Sequence, residues 1–153
     1  MSNAHQRSPD DRVEILLVED NPGDVRLIRE AFKAAGSETT LRPVTNGDDA
    51  IDRLRKRVTD ESRTLPDIAL VDLNLPRTDG CAVVESIRGD PRLRLLPVIM
   101  LTGSGDGEDV GRCYDASANA YLTKPTDPDE FVTLAEAVER FWFEHVELPP
   151  DER

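Results

Sequence analysis

Short apolar runs alternate with amphipathic stretches of helical length along most of this chain. Val13–Val18, Thr39–Thr45, Ile68–Asp72, Val98–Leu101 and Ala120–Leu122 read as strands, each followed by a segment with helical spacing. The first helix is predicted over Pro22–Ala35: Val25, Ile28 and Phe32 share one face, Pro22 suits the opening turn and Gly36 the stop. Asn46-Gly47 opens a second helix carrying Ala50, Ile51 and Leu54, and Asp90-Pro91 closes a third over Cys81–Arg88. The glycine-rich loop Gly103–Gly107 leads into a fourth, Glu108–Ala116, with so little hydrophobic content that loose packing is expected. The last helix, capped near Thr126 or Asp127, carries Phe131, Leu134, Val138 and Phe141 as a stripe that Ala135 and Trp142 widen. Val98–Leu101, apolar at every position, has the pattern of a central parallel strand buried on both faces.

Five alternations of strand and helix predict an α/β fold, a parallel sheet covered by helices on both faces. With 153 residues and 38% hydrophobic content the chain can build one sizeable core. The domain built around that core is expected to span residues 12–146; residues 1–11 are expected to be a disordered N-terminal extension, and 147–153, with Pro149-Pro150, a short tail. No apolar run approaches the roughly 20 residues of a membrane span, and Met1–Asp11 lacks a signal-peptide centre, so a cytoplasmic protein without membrane contact is expected. Cys81 and Cys113 lack CxxC spacing and fall in separate predicted helices, which predicts buried free thiols. His5 and His145 are isolated, so any metal chemistry must use oxygen ligands. A formal net charge of -12 argues against nucleic acid as a partner. Acidic residues number 31 and the basic ones include only three lysines, a surface that also fits adaptation to high salt.

The polar residues that end the predicted strands carry the candidate chemistry. Glu19-Asp20, Asp72, Thr102 and Lys124-Pro125 each close an apolar run, and in an open α/β sheet ligands bind beyond the carboxyl ends of the strands. Taken singly, each has an ordinary reading: the acidic pair and Thr102 can cap helices, Asp72 can form a turn, and Lys124 can decorate a surface. Taken together they assemble three carboxylates, a hydroxyl and an ammonium at one edge. Carboxylates so close repel unless a divalent cation neutralises them, and an oxygen-rich site with few protein ligands suits Mg²⁺. The chemistry expected is phosphoryl transfer, with Asp72 as nucleophile forming an acyl phosphate, Lys124 pairing with a phosphate oxygen and the Thr102 hydroxyl donating to another.

Ile15-Leu16-Leu17-Val18-Glu19-Asp20-Asn21, Leu70-Val71-Asp72-Leu73-Asn74-Leu75-Pro76 with Asp79-Gly80, Leu101-Thr102 and Tyr121-Leu122-Thr123-Lys124-Pro125 resemble, in this order, the response regulator receiver domains of the CheY-like family. That resemblance implies a flavodoxin-like, doubly wound (βα)₅ sheet with strand order 2-1-3-4-5. It implies Mg²⁺-dependent transfer of phosphate to Asp72 from a sensor histidine kinase or phosphotransfer protein. Asp20, Asp72 and the main-chain carbonyl of Asn74 would bind the ion, with Glu19 acting directly or through water. Thr102 and Tyr121 match the family's switch pair, although a tyrosine packed on the last helix would read the same way. Gly103 departs from the family's small residue with a β-carbon, which predicts a more mobile switch loop. Asn21-Pro22-Gly23-Asp24-Val25-Arg26-Leu27, the charged connection before Pro66 and Phe141-Trp142-Phe143 with Leu148-Pro149 bring the chain closer to stand-alone receivers that partner bacterial phytochromes and related sensor kinases.

The expected output is a changed surface over Glu108–Ala116, Ala120–Leu122 and the last helix, read by a downstream protein target. Beyond self-phosphorylation on Asp72 and autodephosphorylation, no enzyme activity is expected. Trp142 and Phe143 extend an apolar stripe already supplied with core residues, which predicts a homodimer through the last helix. Three other functions compete. A haloacid-dehalogenase-like phosphatase needs an acid two residues after its nucleophile, where this chain has Asn74. A nucleotide or flavin binder would not place acids after the first strand, and no GxxxxGK[ST] occurs. A pseudo-receiver that never takes phosphate would not need the intact acidic set.

Overall fold

The computed structural model describes residues 13–36, 38–60, 64–103 and 118–141. Five strands, β1 (Val13–Val18), β2 (Thr39–Val44), β3 (Ile68–Asp72), β4 (Val98–Thr102) and β5 (Ala120–Thr123), form one parallel sheet in the order β2-β1-β3-β4-β5. Between and after them lie α1 (Pro22–Ala34), α2 (Gly47–Thr59), α3 (Gly80–Gly89) and α4 (Phe131–Phe141). The expected helix over Glu108–Ala116 lies outside the described residues, as do His5, His145 and Trp142-Phe143.

Strand alternation sorts the core into two layers. Ile15, Leu17, Ile68, Leu70, Ile99 and Leu101 face α1 and α4, meeting Ile28, Phe32, Phe131, Leu134 and Val138. Leu16, Val18, Ala69, Val71, Val98 and Met100 face α2 and α3, meeting Ala50, Leu54, Val84 and Ile87. β3 and β4 are buried at every position, as two-sided coverage of a parallel strand requires. β2 is an edge strand, which is why it tolerates Pro43 opposite Leu17.

Side-chain caps set where helices begin. Asn21 Oδ1 accepts from the backbone N–H groups of Gly23 (2.8 Å) and Asp24 (3.2 Å), with Pro22 in the first turn. Asn46 Oδ1 accepts from Asp49 N at 2.8 Å, and Asp79 Oδ1 from Ala82 N at 3.0 Å. After β5, Asp127 rather than Thr126 is the cap, and it opens a short 3₁₀ turn, Pro128–Glu130, that delays α4 to Phe131. Every apolar α4 position from Phe131 through Val138 in the predicted stripe is buried in the core.

One expectation is overturned. Cys81 is fully buried at the start of α3, but it is disulfide-bonded rather than a free thiol. The other cysteine, Cys113, lies outside the described residues. The absence of CxxC spacing argued for free thiols, yet a disulfide requires that two Cα atoms approach within about 4.4–6.8 Å with their side chains suitably aimed, whatever their separation along the chain.

Candidate functional site

The register of the sheet brings the strand-ending polar groups together. Val18 pairs with Val71, so Glu19 and Asp72 emerge side by side; Asp72 pairs with Leu101, so Thr102 follows next to it. Thr102 pairs with Thr123, and Lys124 N donates to Thr102 O at 2.7 Å, which delivers the lysine to the same edge. Gly80 allows this edge to be crowded: a Cβ there would stand 2.4 Å from Asp72 O and 2.9 Å from Leu73 Cα, so only glycine lets α3 start so close to the end of β3.

Carboxylate oxygens of Glu19, Asp20 and Asp72 all lie within 4.8 Å of one another. Glu19 and Asp72 are buried, at 1% and 5% exposure, whereas Asp20 is exposed. Lys124 Nζ donates to Glu19 Oε1 (2.7 Å), Asp24 Oδ2 (3.0 Å) and Asp72 Oδ2 (3.1 Å). The remaining oxygens are held by backbone: Glu19 Oε2 accepts from Asn21 N at 3.2 Å and Asp72 Oδ1 from Asn74 N at 3.1 Å. Thr102 is buried at the end of β4, and Tyr121 is half-buried on the α2/α3 layer with its hydroxyl shielded from solvent.

One ammonium among four acids leaves negative charge in excess. Burial drives the Glu19 carboxyl up to about 7; Asp72 adds to the rise, and the Lys124 hydrogen bond opposes it. Burial works against the charged form of Lys124, but its hydrogen bonds to Glu19 and Asp24 and the nearby Asp72 hold it above the ordinary lysine value. Such a cluster fits a hard divalent cation through its oxygen donors, and its charge is what the ion would neutralise. Asp24 is the member that sequence reasoning missed. An acid in the first turn of a helix has a sufficient local explanation in the helix dipole, and nothing in its spacing pointed to Lys124, one hundred residues away.

Residues 15–136 match the family model described as the response regulator receiver domain. The chain belongs to that family. It is 36% identical over 135 residues to the response regulator Rcp1 of Synechocystis sp., covering 88% of this chain and 92% of that one. The fold agrees with the crystal structure of the phosphorylated cyanobacterial phytochrome response regulator RcpA, at TM-score 0.77 and 34% identity over 88% of this chain and 96% of that one. It also agrees with the Mn²⁺-bound form of Rcp1, at TM-score 0.75 and 34% identity over 89% and 97%. This is a receiver of two-component signalling with the expected flavodoxin-like topology, and an acidic pocket of the kind that binds divalent metal in the family. Among the described residues, no helix is long and apolar enough to cross a membrane.

Proposed function

We propose that this receiver accepts a phosphoryl group on Asp72 from a phosphohistidine of a sensor kinase or phosphotransfer protein, and that Mg²⁺ is its cofactor. The observation that carries the reading is Lys124 Nζ bonded to Glu19, Asp24 and Asp72 beside a cluster of three convergent carboxylates. In the reaction, a carboxylate oxygen of Asp72 attacks phosphorus as the P–N bond to the donor imidazole breaks; the nitrogen keeps the electron pair and takes a proton. Asp20, Asp72 and the Asn74 carbonyl would hold Mg²⁺, with Glu19 as a direct or water-mediated ligand. When bound, the ion supplies charge neutralisation for the transferring group.

The chain's own residues do the rest. The Asn74 N–H fixes one Asp72 oxygen, leaving the lysine-facing one aligned by Lys124. Once phosphate arrives, Lys124 exchanges carboxylate partners for a phosphate oxygen, a charge-assisted contact of the same kind. Thr102, which follows Leu101 opposite Asp72, would donate its hydroxyl to the phosphoryl group, and Tyr121 on the adjoining strand would follow, which alters the surface that a downstream protein target reads. Autodephosphorylation returns the resting state by hydrolysis of the acyl phosphate. A homodimer through the last helix belongs to the same reading; the apolar stripe of α4 is committed to the core from Phe131 to Val138, and Phe141 is its half-buried end.

Beryllofluoride, which stands in for the phosphoryl group, tests the assignment by isothermal titration. Saturable binding is expected only with Mg²⁺ present, and at least about a hundredfold weaker for Asp72→Asn. Equal affinity of the variant and wild type would sink Asp72 as the acceptor.

A further inference from the structure

Arg77 is the one described non-glycine residue with a left-handed backbone, at φ 63°. Glycine adopts that conformation without penalty, and Asn or Asp adopt it more readily than arginine does, so the turn alone does not account for this side chain. Packing does not account for it either, because Arg77 is exposed. Nor does an ion pair: among the described residues its guanidinium has no hydrogen-bond or salt-bridge partner, in a chain with 31 acidic residues. What Arg77 does line is a cavity of about 540 Å³ that it shares with Asp20, Asn74, Pro76 and Asp79, opening beside the phosphoacceptor. Strained conformations of this kind gather at functional sites, where the local cost is kept because the side chain is needed in that place.

The charge around Asp72 supplies the need. Glu19, Asp20, Asp24 and Asp72 face one ammonium, that of Lys124, so even with one divalent cation bound the site keeps an excess negative charge. A phosphoryl donor is itself an anion and must approach against that charge. We propose that Arg77 is the positioning residue that draws the donor's phosphoryl anion into this cavity and cancels the excess, a role that rests on Asp72 being the acceptor. It acts on encounter and binding, and takes no part in bond making.

Acetyl phosphate in the presence of Mg²⁺ is the probe: an Asp72 oxygen attacks phosphorus, the P–O bond to acetyl breaks, and acetate leaves with the electron pair. Aspartyl phosphate formation is followed by intact-mass spectrometry against donor concentration for wild type, Arg77→Gly and Arg77→Lys, in dilute buffer and in molar KCl. Arg77→Gly is expected to raise the half-saturating donor concentration about three- to tenfold in dilute buffer, with the maximal rate unchanged. The difference should close in molar KCl, where screening acts over about 3 Å. Arg77→Lys, which keeps the charge and the strain, should behave as wild type, and the thermal midpoint of Arg77→Gly should be no lower than wild type. Equal half-saturation for wild type and Arg77→Gly in dilute buffer overturns the proposal. So does a defect that persists in molar KCl or that lysine does not rescue. A wild-type chain that takes no phosphoryl group under either condition overturns the acceptor reading as well, which separates the two failures.

Discussion

β1 carries a glutamate at each end, and the two live in opposite electrostatic worlds. Glu14, at the amino edge of the sheet, is clasped by Arg57, whose Nη1 donates to Oε1 at 2.9 Å and whose Nη2 pairs with Oε2, and Arg42 Nε adds a third bond at 3.0 Å. Its backbone is tied as well, since Asp67 Oδ2 accepts from Glu14 N at 2.7 Å. The Arg57 hydrogen bonds hold the Glu14 carboxyl below its ordinary value. Glu19, at the carboxyl edge, shares one lysine with Asp24 and Asp72, and burial pushes it up to about 7. One end of the strand has more cation than its acid requires; the other has more acid than its cation can satisfy. The lesson is that the fold is fastened at the amino edge and left electrostatically frustrated where a phosphoryl group and a cation are to bind, so that ligands relieve a strain the protein carries at rest.

The largest expected effect lies at the frustrated end. Because the folded-state value of Glu19 is raised from 4.5 to about 7, the folded chain holds a proton that the unfolded chain has lost. Stability of the metal-free protein should therefore fall as pH rises through this window, by a contribution on the order of 3 kcal/mol. Urea unfolding in chelator across that range measures it, and Glu19→Gln, which mimics the neutral carboxyl, should flatten the curve and raise stability above pH 7. A variant curve as steep as wild type would break the contrast between the two glutamates.

At the fastened end the sign reverses. The folded-state value of Glu14 is lowered, so its contribution is fully present above the ordinary 4.5 and is lost as pH falls through the folded value. Glu14→Gln should cost about 2 kcal/mol at neutral pH, because it leaves the half-buried Arg57 without its carboxylate. Chemical unfolding of that variant checks the value, and a gain in stability would contradict the assignment of this edge as the fastened one.

Salt is the smallest lever. Screening weakens the Glu14 pairs and relieves the acidic excess, and with a net charge of -12 the relief should dominate. The thermal midpoint is expected to rise from dilute buffer to molar KCl, by about 2–4 °C for each kcal/mol relieved. A midpoint that declines steadily over that range would instead mean that specific pairs such as Glu14–Arg57 outweigh the general repulsion.

How much of this was legible beforehand differs residue by residue. Except for β2, whose Arg42 and Pro43 interrupt it, the strands announced themselves as apolar runs, and Pro22 and Asn46-Gly47 marked two helix starts; the capping roles of Asn21 and Asp79 emerged only from the structure. Glu19, Asp20, Asp72, Thr102 and Lys124 were legible because each ends a strand, and a parallel sheet brings all such ends to one edge. Asp24 was not, since its helix position already explained an acid there. The 3₁₀ turn before α4 was likewise hidden, because Asp127 caps either kind of helix start equally well.

By itself, then, the order of residues determined the elements, their parallel arrangement and the identity of the groups at the carboxyl edge, all of which follow from local periodicity and from connectivity. Tertiary structure alone decided which charges meet and how strongly each is desolvated. It made Glu14 a comfortable anion and Glu19 an uncomfortable one, sent Asp24 to Lys124, joined Cys81 in a disulfide, and put Arg77 in the lining of a cavity shared with Asp20 and Asp79. The physical reason is that Coulomb energy and burial depend on distance in space and on the surrounding dielectric, and neither is a function of distance along the chain.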